Sequence, residues 1–118
     1  MVRDFTIDDG SFSYDASFGS DSPFIQLDKL RHGNISVNFG EYTVDLTGIA
    51  DVEAHCRIHA DCSFGELTIL VPRRYAIIAD SSTSFASLDI LGQPDNPNAG
   101  TISLDADASF GSIRIQYV

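Results

Sequence analysis

A three-residue phrase, Ser-Phe-Gly, repeated at regular intervals, constrains this chain more than any other feature. It stands at Ser17-Phe18-Gly19, Ser63-Phe64-Gly65 and Ser109-Phe110-Gly111, and returns as Asn38-Phe39-Gly40 and Ser84-Phe85-Ala86. The phenylalanines are 21, 25, 21 and 25 residues apart. A period of this length over most of a chain marks stacked repeats: one unit cannot bury its apolar face alone, and its neighbours must cover it.

Within each unit the pattern is that of strands. Before the phenylalanine, apolar residues alternate with polar ones, as in Phe12, Tyr14, Ala16; Ile35, Val37; Ile58, Ala60, Cys62; and Ile102, Leu104, Ala106, Ala108. After it the parity flips, to Tyr42, Val44, Leu46; Leu67, Ile69, Val71; Leu88, Ile90; and Ile113, Ile115, Tyr117. Side chains on a strand alternate between faces, so a flip demands one extra residue at a bend. The glycines Gly19, Gly40, Gly65 and Gly111 sit at that step and mark it as a corner. Helical signals are nearly absent; Thr47–His55 is the one stretch of helix formers, and it is too short to stand alone.

These observations predict an all-β, single-domain, right-handed parallel β-solenoid of about five coils over residues 1–118, one coil per repeat. A β-sandwich is the alternative, but it does not require the same parity flip in every unit. In the solenoid, Phe18, Phe39, Phe64, Phe85 and Phe110 are expected to stack inside the core, with Leu67, Leu88 and Ile113 in a second column. The outward column Asp15, Ser36, Asp61, Ser82, Asp107 alternates in charge if coils stack in chain order, which keeps carboxylates apart. The segment Gly92–Gly100 is the longest loop.

Charge narrows the function. Seven basic residues stand against seventeen acidic ones, a net charge of −10. Nucleic acid and anionic lipid surfaces are therefore poor partners. No run reaches the roughly 18 apolar residues of a membrane helix, and no signal-peptide core opens the chain. The expectation is a soluble domain.

No chemistry-bearing set converges in the sequence. His55, Cys56, His59 and Cys62 resemble a metal cluster, but strand periodicity turns the cysteines inward and the histidines outward, so no zinc site is expected. A calcium ladder on the outward aspartates is the functional reading of that column; a solvated face that avoids repulsion is the simpler one. Asp4, Asp8 and Asp9 near one end and Asp105 and Asp107 near the other are the carboxylates a polysaccharide-active enzyme would need, but nothing sets them together. No catalytic triad or phosphate loop is present. The chain is expected to be no enzyme and to need no cofactor. Arg73-Arg74-Tyr75, a local reversal of charge, is the candidate partner contact.

The segments Val37-Asn38-Phe39-Gly40-Glu41-Tyr42-Thr43-Val44-Asp45-Leu46 and Cys62-Ser63-Phe64-Gly65-Glu66-Leu67-Thr68-Ile69-Leu70-Val71-Pro72-Arg73-Arg74-Tyr75 resemble the C-terminal domain of the LiaF/YvqF family of cell wall-active antibiotic response proteins. That family carries repeated Phe-Gly-(Gly) steps and a Val-Pro pair. Here Glu41, Glu66 and Ser112 replace its second glycine, and Ala86 replaces a first. The resemblance implies a regulatory domain, tethered to the bacterial membrane in the full-length protein with the cytoplasmic face favoured. Its partner would be a sensor histidine kinase or another membrane component. The alternative is a structural, self-assembling solenoid of bactofilin or adhesin type.

The ends of a solenoid need caps. Residues 1–10 are expected to cover the first. Ile113–Val118 reads as a well-formed strand at the other, and predicts a weak homodimer through the C-terminal coil.

Overall fold

A computed structural model describes residues 2–83, 87–93 and 100–118. The described chain forms nine strands and no helix: β1 (Val2–Asp8), β2 (Ser11–Asp21), β3 (Phe24–Leu27), β4 (Leu30–Ile49), β5 (Val52–Val71), β6 (Ala76–Thr83), β7 (Ser87–Leu91), β8 (Thr101–Ala108) and β9 (Ser112–Tyr117). The repeats stack as parallel coils of a β-solenoid of about four turns. Thr47–His55, the stretch with helix formers, belongs to β4 and β5 and the short link between them.

The stack does not follow chain order. β2 pairs with β4 and β4 with β5, but β5 then pairs with β8 and β9, and these pair on their far side with β6 and β7. The fifth repeat is thus inserted between the third and the fourth. Two corrections follow. β9 has a hydrogen-bonded neighbour on each side, so the C-terminal strand is not the free edge on which a dimer was expected. Asp61 sits directly beside Asp107, and Asp80 beside Asp105, so the expected separation of carboxylates is broken.

The crossover explains the order. After β5, Pro72 has no N–H to continue a ladder, and Tyr75 closes a turn onto the Pro72 carbonyl at 3.2 Å. The Tyr75 side chain is buried and its hydroxyl donates to the Ile49 carbonyl at 3.3 Å. Ala76 N–H then donates to the carbonyl of Gly100, the residue that opens the inserted coil, at 3.0 Å. Gly100 permits this approach, because a Cβ there would overlap Val52 and crowd Tyr75.

One continuous core runs through the stack. Its columns include Tyr14, Ile35, Ala60 and Ala106 before the corner, and Tyr42, Leu67 and Ile113 after it, all buried. Leu88 extends the second column in the outermost coil and is half-buried. Asp21 breaks the apolar pattern of this column in the first coil. It is matched by the Tyr14 hydroxyl, which donates to its carboxylate at 2.8 Å. As expected, the N-terminal segment covers the first coil: β1 pairs antiparallel with β2, and Phe5 packs edge-on against Tyr14 with ring centroids 6.0 Å apart.

Candidate functional site: an aromatic corner

The corner at the Phe-Gly step is built differently from the sequence reading. Phe18, Phe39 and Phe64 adopt left-handed backbone angles, with φ of 59°, 53° and 57°. The bend is therefore made at the phenylalanine and not at the glycine after it. Left-handed angles throw these three side chains out of the core, and Phe110 joins them outside without one. Phe18, Phe39, Phe64 and Phe110 are 65, 47, 49 and 50% exposed, which corrects their placement as core residues. They do stack, but outside: successive ring centroids lie 4.9, 5.0 and 4.9 Å apart, with planes within 13° of parallel. Phe85 lies outside the described residues.

The glycines have another task. The Cβ of any residue at 40, 65 or 111 would overlap the carbonyl oxygen of Gly19, Gly40 or Gly65 in the preceding layer. Glycine lets the coils close to ladder distance at the corner. The strain of three left-handed phenylalanines, roughly 1–3 kcal/mol each, is offset in part by ring stacking worth about 0.5–1.5 kcal/mol per pair.

Carboxylates border the rings, and the described ring-bearing segments themselves carry no cation. Three residues before the rings runs the register column Asp15, Ser36, Asp61, Asp107, and two residues after them the column Ser20, Glu41, Glu66, Ser112. Between these columns, in residues 15–20, 36–41, 61–66 and 107–112, there are five carboxylates and no Lys, Arg or His. The side chains of Asp15, Glu41, Glu66 and Asp107 are exposed and that of Asp61 is half-buried.

Other candidates are placed as follows. Arg73 donates to the Gln93 carbonyl at 3.1 Å; Arg74 donates to the Ile49 carbonyl and lies 5.0 Å over the Tyr75 ring. The trio braces the crossover, and Tyr75 is buried, so of the expected partner contact only Arg73 and Arg74 reach the surface. Cys56 and Cys62 point inward, are buried and are unpaired, while His55 and His59 lie on the outside. Burial pushes both thiols up to about 11. Among the described residues no three His, Cys, Asp or Glu side chains are grouped to hold a metal ion. Asp4 and Asp8 lie on β1 and Asp9 in the turn after it, whereas Asp105 and Asp107 lie on β8, four strands away in the sheet. A cleft of about 290 Å³ beside β1 is lined by Thr6, Asp8, Ser11, Phe12, Ser13, His32 and Asn34. A second, of about 410 Å³, holds the Arg31–Glu53 ion pair at 3.7 Å.

Sequence reasoning found the phenylalanines and missed their side of the wall. Parity gives no warning of this, because each phenylalanine continues the inward set before it, as in Ile58, Ala60, Cys62, Phe64. No family model, curated protein or solved structure matches the chain.

Proposed function

We propose that this chain is a rigid, non-catalytic protein-interaction domain. The observation that carries this reading is the aromatic stack, held outside the core at the expense of left-handed backbone. Large exposed apolar strips on folded domains mark interaction sites. The resemblance to LiaF/YvqF C-terminal domains adds the partner class: a sensor kinase or other membrane component of the bacterial envelope-stress response, met by a domain tethered to the membrane in the full-length protein. The test is to find whether a sensor histidine kinase gene neighbours this one and to measure binding and phosphotransfer with the purified kinase. A micromolar or tighter complex that alters autophosphorylation supports the reading; no complex at 100 µM protein contradicts it. Here 100 µM corresponds to about −5.5 kcal/mol, the weak end of specific association.

A second reading, a self-assembling structural solenoid, is favoured by the outer coil. β6 and β7 each pair on one side only among the described residues, and Ile78, Ile90 and Leu91 are exposed there. Sedimentation at rising concentration and salt separates the two: growth beyond a dimer supports assembly, and a strict monomer excludes it.

A further inference from the structure

We infer that the aromatic corner is a docking surface for a basic, amphipathic segment of a protein partner. This inference rests on the interaction-domain reading and names the chemistry of the partner. Three features of the corner choose the occupant.

The first is shape. Stacked rings present their edges outward, so Phe18, Phe39, Phe64 and Phe110 form a narrow apolar strip along the stack, about 15 Å long at ~5 Å per layer. A strip of edges suits a row of aliphatic side chains. It does not suit a flat ring or sugar, which needs an open ring face.

The second is charge. The strip runs between Asp15, Asp61 and Asp107 on one side and Glu41 and Glu66 on the other, with no cation within this band. None of the seven basic residues lies in the ring-bearing segments: Arg31 and Arg57 face Glu53 and Asp105, Arg73 and Arg74 brace the crossover, and Arg3, on β1, is the register partner of Ala16 at the Phe18 end of the strip. These segments are thus acidic on both flanks, and four of the seven basic residues are engaged away from them. Its complement is a chain segment with aliphatic residues on one side and Lys or Arg beside them.

The third is rigidity. The rings are fixed by backbone geometry at the corner and by their neighbours, so little side-chain freedom remains to be lost on binding.

The same carboxylates are crowded before any partner arrives. Glu41 is the register neighbour of Glu66, and Asp61 of Asp107. A basic segment would relieve both pairs at once.

The experiment titrates the folded chain with three labelled twelve-residue peptides: alternating Lys/Leu, alternating Lys/Ser and alternating Glu/Leu. The proposal expects Lys/Leu to bind, with at least tenfold weaker binding of the other two. It also expects at least tenfold loss for Lys/Leu in F39G/F64G, where glycine accepts the left-handed angle and every charge is kept. D61N/E41Q/E66Q should lose as much, and binding of the parent chain should weaken with salt. Circular dichroism and thermal melts verify that each variant folds. Equal binding of Lys/Leu and Lys/Ser, or an F39G/F64G variant that binds as the parent does, overturns the proposal by reducing it to unspecific charge attraction. The sensor kinase is titrated against the same variants. A kinase complex untouched by F39G/F64G overturns the corner as the docking surface and leaves the interaction-domain reading standing. Peptide binding that needs the rings, with no kinase complex, supports the corner and refutes the kinase as partner.

Discussion

The two ends of the stack are finished in different ways. At the first coil, β1 folds back antiparallel and lays Phe5 against Tyr14, while Asp4 and Asp8 on β1 put charge on that edge. At the far end stands the fourth repeat, not the last. Its inward residues Ile77, Ala79 and Leu88 are half-buried and Ile90 is 47% exposed, although Ile115, beside Ile90 in the next layer, is 0% exposed. Charged, antiparallel caps are a known way to stop edge-to-edge growth. One end has that device, and the described residues of the other do not. The difference teaches that the inserted fifth repeat is the structural centre of the second half, and that the fourth is its periphery.

The largest effect should come from the pair that spans this difference. Ile115→Ala is expected to destabilise by about 2–5 kcal/mol, as in a closed core, and Ile90→Ala by under about 1.5 kcal/mol. Urea melts measure both, and stacking in chain order would reverse the ranking. At the capped end, deleting residues 1–9 should cost about 2–4 kcal/mol by uncovering Tyr14 and the β2 edge. It should also make sedimentation concentration-dependent.

Alkaline titration probes the core between the ends. The Cys56 and Cys62 thiols stay neutral up to about 11 in the fold, above their value in the unfolded chain. Their contribution to stability is therefore complete below pH ~8.5 and declines as pH rises toward 11. At pH 8 both thiols should resist alkylation until denaturant is added. Phe64→Ala should cost about 1–3 kcal/mol, the worth of two ring contacts, since alanine keeps the strain of the left-handed angle. This is less than Leu67→Ala at about 2–5 kcal/mol, where a buried side chain leaves a cavity. The smallest effect has the opposite sign. Asp107→Asn should stabilise by roughly 0.2–1 kcal/mol at low ionic strength, because Asp61 lies beside it only when the fifth repeat stacks on the third. The gain should fade in 1 M salt, where screening acts within about 3 Å.

Much of this was legible in the sequence. Alternation before and after each Phe-Gly step gave the strands, their inward columns and the solenoid. The cysteines and histidines fell on opposite sides as periodicity required. The order of coils was not legible, because every repeat carries the same pattern and any two can stack. It is decided by the Pro72–Tyr75 turn and the close approach at Gly100, which are contacts between distant segments. The position of the rings was misread for a simpler reason. A phenylalanine is assigned to the core by its apolarity, yet at Phe18, Phe39 and Phe64 the left-handed angle, visible only in the backbone, decides its side. The brace made by Arg73 and Arg74 was equally hidden, since its acceptors are carbonyls of Gln93 and Ile49, far along the chain.

Amide hydrogen exchange followed residue by residue tests the insertion of the fifth repeat most directly. A strand paired on both sides opens only with the whole stack, whereas an edge strand frays with less free energy. The hydrogen-bonded amides of Ile113–Tyr117 should exchange among the slowest in the molecule, and those of Ala76–Thr83 and Ser87–Leu91 among the fastest of the strands. Slow exchange in β6 and β7 together with rapid exchange in β9 would show that the coils stack in chain order, and would contradict the insertion.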